Sequence, residues 1–148
     1  MKLLVCVDGS KESDKALDKT VEFTAGCRVD KVTLMMVFKK VTFPYVESVE
    51  TSDPEIMESF NLMNEELMRQ HEKILEESAE KLRKKGIEPE LLMKEGRPAP
   101  TISQVAEKEK YDMIIIGGRG RSGEKTSTLG SVSNAVIQTA NVSVLVVK

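Results

Sequence analysis

The segment IIIGGRGRSGEKTSTLGSVSNAV, residues 114–136, joins an apolar strand pattern to a helix pattern through a loop rich in glycine and serine. Its three consecutive isoleucines predict a strand buried on both faces, as in a parallel sheet that helices cover on each side. Open α/β sheets bind ligands beyond the carboxyl ends of their strands. This segment therefore predicts the kind of sheet and also the position of a ligand site.

Strand and helix patterns alternate along the whole chain, which indicates βαβ units around a parallel sheet. Apolar runs predict strands at 2–8, 31–38, 89–96, 111–118 and 142–147. Apolar residues at spacings of three and four predict helices at 10–26, 54–85 and 131–140, with a short one that starts at Pro98. Gly26 and Asn141 are expected to end the first and last helices in the left-handed conformation. We expect one domain over residues 1–148.

Composition excludes several classes of protein. The chain has 148 residues, with 22 basic and 24 acidic side chains and a net charge of −2, whereas nucleic-acid-binding domains are strongly basic. Two cysteines and one histidine do not predict a disulfide framework or a metal cluster. The apolar stretch before Asp8 is too short for a secretory signal, and no run reaches the ~20 residues of a membrane span. We expect a soluble, cytoplasmic protein.

The glycine loop partly matches two familiar phosphate-binding motifs. GRGRSG at 118–123 has the GxGxxG spacing of dinucleotide sites, but the strand that follows offers Ser143 where those sites carry an acid. GRGRSGEKT at 118–126 differs from a P-loop because Glu124 is inserted before the lysine. That insertion shifts the backbone register and places a negative charge beside the phosphates. Neither motif is supported.

A third spacing has a coherent physical basis: Gly117-x2-Gly120-x9-Gly130-Ser131. The first two glycines allow the backbone to approach a ligand and to adopt positive φ. The N–H groups of Gly130, Ser131 and Val132 begin the last helix, where unpaired donors and the helix dipole favour an anion. Positive charge lies nearby in Arg119, Arg121 and Lys125. The alternative is a surface loop rich in turn residues, but this loop leaves the middle of a buried sheet and ends on a helix start.

Together with VCVDGS at 5–10 and GSVSNAVIQTANVSVLVV at 130–147, this spacing resembles the universal stress protein family over the whole chain. The resemblance is to the subgroup whose members bind ATP, and it implies an open five-stranded parallel sheet in the order 3-2-1-4-5, similar to a Rossmann fold. It also implies a homodimer through the last strand, which begins at Val142 and ends at Val147. An apolar strand at the edge of a sheet favours such pairing.

The resemblance implies roles for individual residues. Asp8 matches an acid expected near ribose, phosphate or metal, and Mg²⁺ is expected to accompany the ATP. Val37 matches a residue whose backbone recognises adenine through one N–H and one C=O. The remaining matches lie in the loop against ribose and phosphates and at the helix start that holds phosphate: Gly117, Gly120, Gly130, Ser131 and Val132.

No residue stands out as a base that activates water, so we expect a nucleotide-dependent sensor or regulatory module with at most slow ATP hydrolysis. One alternative is an enzyme that hydrolyses ATP or adenylates a substrate, for which 39–53 is the one candidate substrate segment. The other is an interaction module with an unoccupied nucleotide site. His71 and Cys6 are interpreted as packing residues.

Overall fold

The computed structural model describes residues 1–42, 53–119 and 129–148. Every predicted strand and helix is present, and their ends differ from the predicted ends by at most two residues. The elements are β1 (Lys2–Cys6), α1 (Lys11–Gly26), β2 (Lys31–Phe38), α2 (Pro54–Arg83), β3 (Glu90–Glu95), α3 (Pro98–Lys108), β4 (Met113–Gly117), α4 (Ser131–Thr139) and β5 (Ser143–Val147).

The five strands form one parallel sheet in the order β3-β2-β1-β4-β5, which confirms the predicted fold class. The chain runs outward from β1 to β3 and then crosses back to place β4 on the other side of β1. Strand order therefore reverses between β1 and β4, where Leu4 lies beside Ile114 and Val5 beside Ile115. The carboxyl ends of these two strands leave the crevice in which such sheets bind ligands.

Alternate residues of the central strands enter two different cores. Leu3 and Val5 pack with α1 and α2 on one face, while Leu4 and Cys6 pack with α3 and α4 on the other. All four side chains are less than 10% exposed. Burial on both faces explains why the strands read as continuous apolar runs rather than as alternating patterns.

The left-handed conformation predicted at two helix ends is wrong. Within the described residues, positive φ angles occur at Gly9, Gly86, Gly96 and Lys110. Gly26 and Asn141 are not among them. After α1 and α4 the chain is extended at the capping residue, whose N–H still donates to a carbonyl four residues back. These ends complete the helical bonding with an extended residue in place of a left-handed one.

Only part of the long helix α2 packs into the core. Its buried residues all lie in its C-terminal part: Leu75, Ser78, Ala79 and Leu82. Towards its N-terminus Met57 and Met63 are 49% and 55% exposed. His71 lies between these parts, half-buried, with its ring centroid 6.0 Å from that of Phe38, which fits its predicted packing role. Across the described ranges, no helix has the length and apolar character needed to cross a bilayer.

Candidate functional site

A cavity of about 320 Å³ opens where β1 and β4 separate. Its apolar wall comes from β2, β4 and α3, and includes Met35, Ile116 and Ile102. Its polar side comes from the ends of β1 and β4 and from the starts of α1 and α4. Six of the seven predicted site residues line it: Asp8, Val37, Gly117, Gly130, Ser131 and Val132. Gly120, like Arg121, Lys125 and most of the 39–53 segment, lies outside the described residues.

The backbone of Val37 faces the cavity from the end of β2. Met35 accepts a hydrogen bond from the N–H of Val7 at 3.0 Å, so its backbone groups are directed at β1. Successive residues of a strand direct these groups to opposite neighbours, and Val37 therefore faces the same side as Met35. The paired register of β1 and β2 ends at Cys6 and Met35, so no strand of the described chain pairs with this side of Val37. One donor and one acceptor are left side by side.

At the end of β1 the chain turns sharply into α1. The N–H of Ser10 donates to Oδ1 of Asp8 at 2.9 Å, and Oγ of Ser10 accepts from the N–H of Ser13 at 3.1 Å. Gly9, between them, has φ +78°. Side chains therefore cap the start of α1, and part of its capacity to bind an anion is already used. Among the described cavity-lining residues, Asp8 is the only one that carries a carboxyl group.

Gly117 has a packing role that the sequence interpretation did not predict. Its φ is not positive; instead, a Cβ there would lie 2.7 Å from the backbone carbon and 2.8 Å from the carbonyl oxygen of Glu12. The absence of a side chain lets the first turn of α1 pack directly on the end of β4. This close packing brings the start of α1 to the cavity, so the glycine shapes the site through a helix rather than through a turn.

The start of α4 corrects a second expectation. The N–H of Gly130, the capping residue, donates to the carbonyl of Gly118 at 2.7 Å and is not available to an anion. No side chain caps this helix. Within the described ranges, the N–H groups of Ser131, Val132 and Ser133 have no acceptor, and all three residues line the cavity. The donors at this terminus are thus one residue further along the chain than predicted.

Ser133 is a site residue that the sequence interpretation missed. Its hydroxyl lies 2.9 Å from the carbonyl oxygen of Gly118 and 3.0 Å from that of Gly130, and the side chain is 2% exposed. It therefore fastens the start of α4 to the end of β4. The available signal was a serine three residues before Val136, on the buried side of the helix, in a helix whose capping residue has no side chain.

Comparison with known proteins identifies the family. The model of the Universal stress protein family matches residues 1–148. The chain belongs to this family. Universal stress protein YxiE of Bacillus subtilis (strain 168) is 33% identical to it over 148 residues, which cover 99% of this chain and 98% of YxiE.

Solved structures of universal stress proteins share the fold. That of MJ0577 of Methanocaldococcus jannaschii has a TM-score of 0.81 at 27% identity and covers 99% of this chain and 94% of its own. The universal stress protein from Archaeoglobus fulgidus in complex with dAMP has a TM-score of 0.62 at 24% identity, with 100% and 98% coverage. At the latter identity the likeness shows the fold alone.

The titratable groups of this universal stress protein site limit its chemistry. Burial, and secondarily the charge of Asp8, raise the pKa of Cys6 to about 12, so its thiol is neutral and unsuited to nucleophilic attack. The described residues contain no cluster of three or more His, Cys, Asp or Glu side chains that is able to hold a metal ion. A single carboxylate is nevertheless enough to bind Mg²⁺ when its other ligands are phosphate oxygens and water.

Proposed function

We propose that the protein binds ATP together with Mg²⁺ and acts as a nucleotide-dependent sensor or regulatory module. The observation that carries this proposal is the convergence, in one cavity, of the uncapped start of α4 and the unpaired backbone groups of Val37. These two features suit the two ends of a nucleotide. The universal stress protein from Archaeoglobus fulgidus, which shares this fold, was solved in complex with dAMP, an adenine nucleotide.

The base is assigned to the apolar wall. Adenine presents a donor, N6–H, beside an acceptor, N1, which complements the C=O and N–H of Val37. Met35, Ile102 and Ile116 provide apolar contact for the ring faces. Recognition by backbone atoms depends on the position of Val37 rather than on its side chain.

The phosphates are assigned to the start of α4. Three N–H donors, at residues 131–133, and the positive end of the helix dipole favour bound negative charge. Arg119, half-buried at the cavity, adds a guanidinium that suits phosphate oxygens. The start of α1, by contrast, is capped by Ser10 and contributes less. Phosphate therefore belongs on the α4 side of the crevice.

Asp8 accounts for the metal in this assignment. A carboxylate beside a polyphosphate is repulsive unless a cation lies between them. Mg²⁺ usually binds proteins through one or two carboxylates and takes its other ligands from phosphates and water. When bound, the cation supplies charge neutralisation. Asp8 would hold it, and Arg119 would hold the phosphate oxygens from the other side.

Slow hydrolysis is proposed from the described residues that line the cavity. Cys6 is a neutral thiol, and Asp8 is assigned to the cation. A fast ATPase needs a residue that orients or deprotonates water, beyond the groups that bind phosphate. We therefore assign binding and regulation, with hydrolysis no faster than the bound phosphates and cation support by themselves.

The test is calorimetric titration of the protein with Mg·ATP, paired with thermal unfolding. ATP at 100 times its Kd is expected to add roughly 2.7 kcal/mol to the free energy of unfolding. Gly130→Val is expected to abolish binding while the protein still folds, because its side chain enters the space assigned to phosphate. Gly26→Val is the matched control, since nothing lies within 4 Å of a Cβ at Gly26.

Three results would contradict the proposal at different points. Unchanged ATP affinity in Gly130→Val shows that the phosphate site is misplaced. A wild-type protein that shows neither heat of binding nor thermal stabilisation with Mg·ATP is instead an interaction module with an empty site. Turnover at ordinary enzyme rates, of 1 per second or more, favours the hydrolase alternative.

The proposal includes a homodimer through β5. The two edge strands differ in charge: β5 reads SVLVV, while β3 carries Glu90, Lys94 and Glu95. Charged side chains protect an edge from pairing, and an apolar edge invites it. On α4, which packs beside β5, Ile137 is 44% exposed and extends the apolar surface.

Proline substitutions test which edge pairs. The carbonyl of Val147 accepts from the N–H of Gly118, so the backbone N–H and C=O groups of the odd-numbered residues in β5 point towards β4. The N–H of Val144 is therefore on the free edge. Gly96 donates to Phe38, so by the same alternation the N–H of Leu91 is on the free edge of β3. We expect light scattering to give a dimer for wild type and Leu91→Pro and a monomer for Val144→Pro. A Val144→Pro dimer places the interface elsewhere.

A further inference from the structure

The carbonyl of Gly118, at the exit of β4, is a junction between three parts of the fold. Its oxygen accepts from the N–H of Gly130 at 2.7 Å and lies 2.9 Å from Oγ of Ser133. The N–H of Gly118 donates to the carbonyl of Val147 at 2.7 Å. Two residues at the start of α4, one turn of helix apart, are thus attached to the one carbonyl group of Gly118.

The two attachments have different effects. The bond from Gly130 fixes the backbone at the residue that precedes the first turn of α4. The hydroxyl of Ser133 fixes a second point on the buried side of the first turn and also lies 3.0 Å from the carbonyl oxygen of Gly130. Val136 is buried and Oγ1 of Thr139 lies 2.9 Å from Oγ of Ser103 on α3, but both act beyond the first turn of α4, whereas Ser133 acts within the turn that carries the free N–H groups.

We infer that Ser133 is a positioning residue for phosphate: its hydroxyl sets the tilt of α4 and so aims the free N–H donors of residues 131–133 at the phosphates. This inference rests on the proposed ATP site and adds to it a side chain that need not contact the nucleotide. Hydrogen bonds depend on direction and weaken steeply when misaligned, so a small tilt of the helix weakens several of them together. The base, held at β2, does not depend on this tilt.

The experiment compares ATP with adenosine by calorimetry, in wild type and in Ser133→Ala. Loss of the hydroxyl is expected to raise the Kd of Mg·ATP roughly fivefold to tenfold, the usual worth of one such hydrogen bond, and that of adenosine by less than about twofold. A purely structural role for Ser133 lowers thermal stability without changing the ratio of the two affinities. That ratio is therefore the decisive readout.

Two further variants separate the hydrogen bond from packing. Ser133→Cys keeps nearly the same volume but has a weak donor, so it is expected to behave as Ser133→Ala does. Ser78→Ala removes another buried hydroxyl, which donates to the carbonyl of Ile74 at 2.8 Å on α2, and it is expected to leave both affinities unchanged.

The outcomes distinguish this inference from the proposed function. Wild-type protein that does not bind ATP overturns both. Wild-type binding with an unchanged ratio in Ser133→Ala, or full ATP affinity in Ser133→Cys, overturns the role of Ser133 alone. Selective loss of ATP affinity in both Ser133 variants, with normal behaviour of Ser78→Ala, supports it.

Discussion

Replacement of Gly117 by alanine tests how closely α1 must pack on the sheet. The added methyl carbon would lie 2.7 Å from the backbone carbon of Glu12, 2.8 Å from its carbonyl oxygen and 2.9 Å from its Cβ. Atoms at such distances overlap, and two of the three belong to the helix backbone, which cannot rotate away as a flexible side chain does. Accommodation requires α1 to move away from β4, and α1 packs against the buried core residues of β1.

The expected cost follows from this geometry. Overpacking of one methyl group against well-packed surroundings typically costs about 1–3 kcal/mol. The contact with backbone places Gly117→Ala in the upper part of that range. For a chain of this size each kcal/mol shifts the Tm by roughly 2–4 °C. Gly118→Ala is expected to cost less, because the nearest atom to its Cβ would be the carbonyl oxygen of Val147 at 3.3 Å.

The assay is urea unfolding of the three matched glycine variants without nucleotide. Gly26 lies in the last turn of α1 with nothing within 4 Å of its Cβ position, so Gly26→Ala is expected to stabilise by up to ~1 kcal/mol. The predicted order of stability is Gly26→Ala, wild type, Gly118→Ala and Gly117→Ala. If Gly117→Ala unfolds at the same urea concentration as wild type, the close approach of α1 to β4 is wrong.

Two other predictions concern buried polar groups. Burial raises the pKa of Cys6 from 9.0 to about 12, so the stability that its neutral thiol contributes is complete below pH 9 and is lost as the pH rises towards 12. The loss in unfolding free energy is about 2 kcal/mol at pH 10.5. Cys6→Ala should therefore lose less stability than wild type between pH 9 and pH 12 in urea unfolding, and an equal loss in both proteins would refute the assignment. Tyr111, which is 3% exposed, donates to Oγ1 of Thr33 at 2.9 Å; Tyr111→Phe should lose about 1 kcal/mol of unfolding free energy, and an unchanged urea midpoint would show that this bond contributes nothing.

The sheet was predictable because burial on both faces leaves a strong record in the sequence. Ile114 and Ile115 have 0% exposure, and so do Leu3 and Leu4 on the neighbouring strand. A polar residue buried there needs a partner, as Thr33 has in Tyr111, so the strands read as apolar runs. Strand order came instead from the family resemblance, since the runs themselves do not say which strands are neighbours.

The helix ends were less predictable, because several residue types satisfy the same bonding. Gly26 and Asn141 favour left-handed caps, yet both helices end with an extended residue whose N–H completes the helical pattern. Gly86 does adopt positive φ, at +79°, after α2. The difference lies in how the chain must travel to the next strand, and this is a property of the tertiary structure.

The position of the cavity was predictable from the sequence, but the bonding around it was not. Glycine spacing indicates that backbone comes close to something at Gly117 and Gly130, but not what it approaches. At Gly117 the neighbour is the backbone of Glu12, and at Gly130 the N–H is taken by Gly118. In both cases the glycine first serves contacts within the protein.

These internal contacts place the donors of the proposed site. Because Gly130 is held by Gly118, the next three N–H groups are the ones that remain for a ligand at the start of α4. Because Gly117 admits α1, the cavity gains Asp8 and Ser10 on its opposite side. A substitution at Gly117 therefore disturbs a packed junction and one side of the cavity together. Affinity measurements on glycine variants need the stability data beside them, whereas the hydroxyl of Ser133 is small enough to be removed alone.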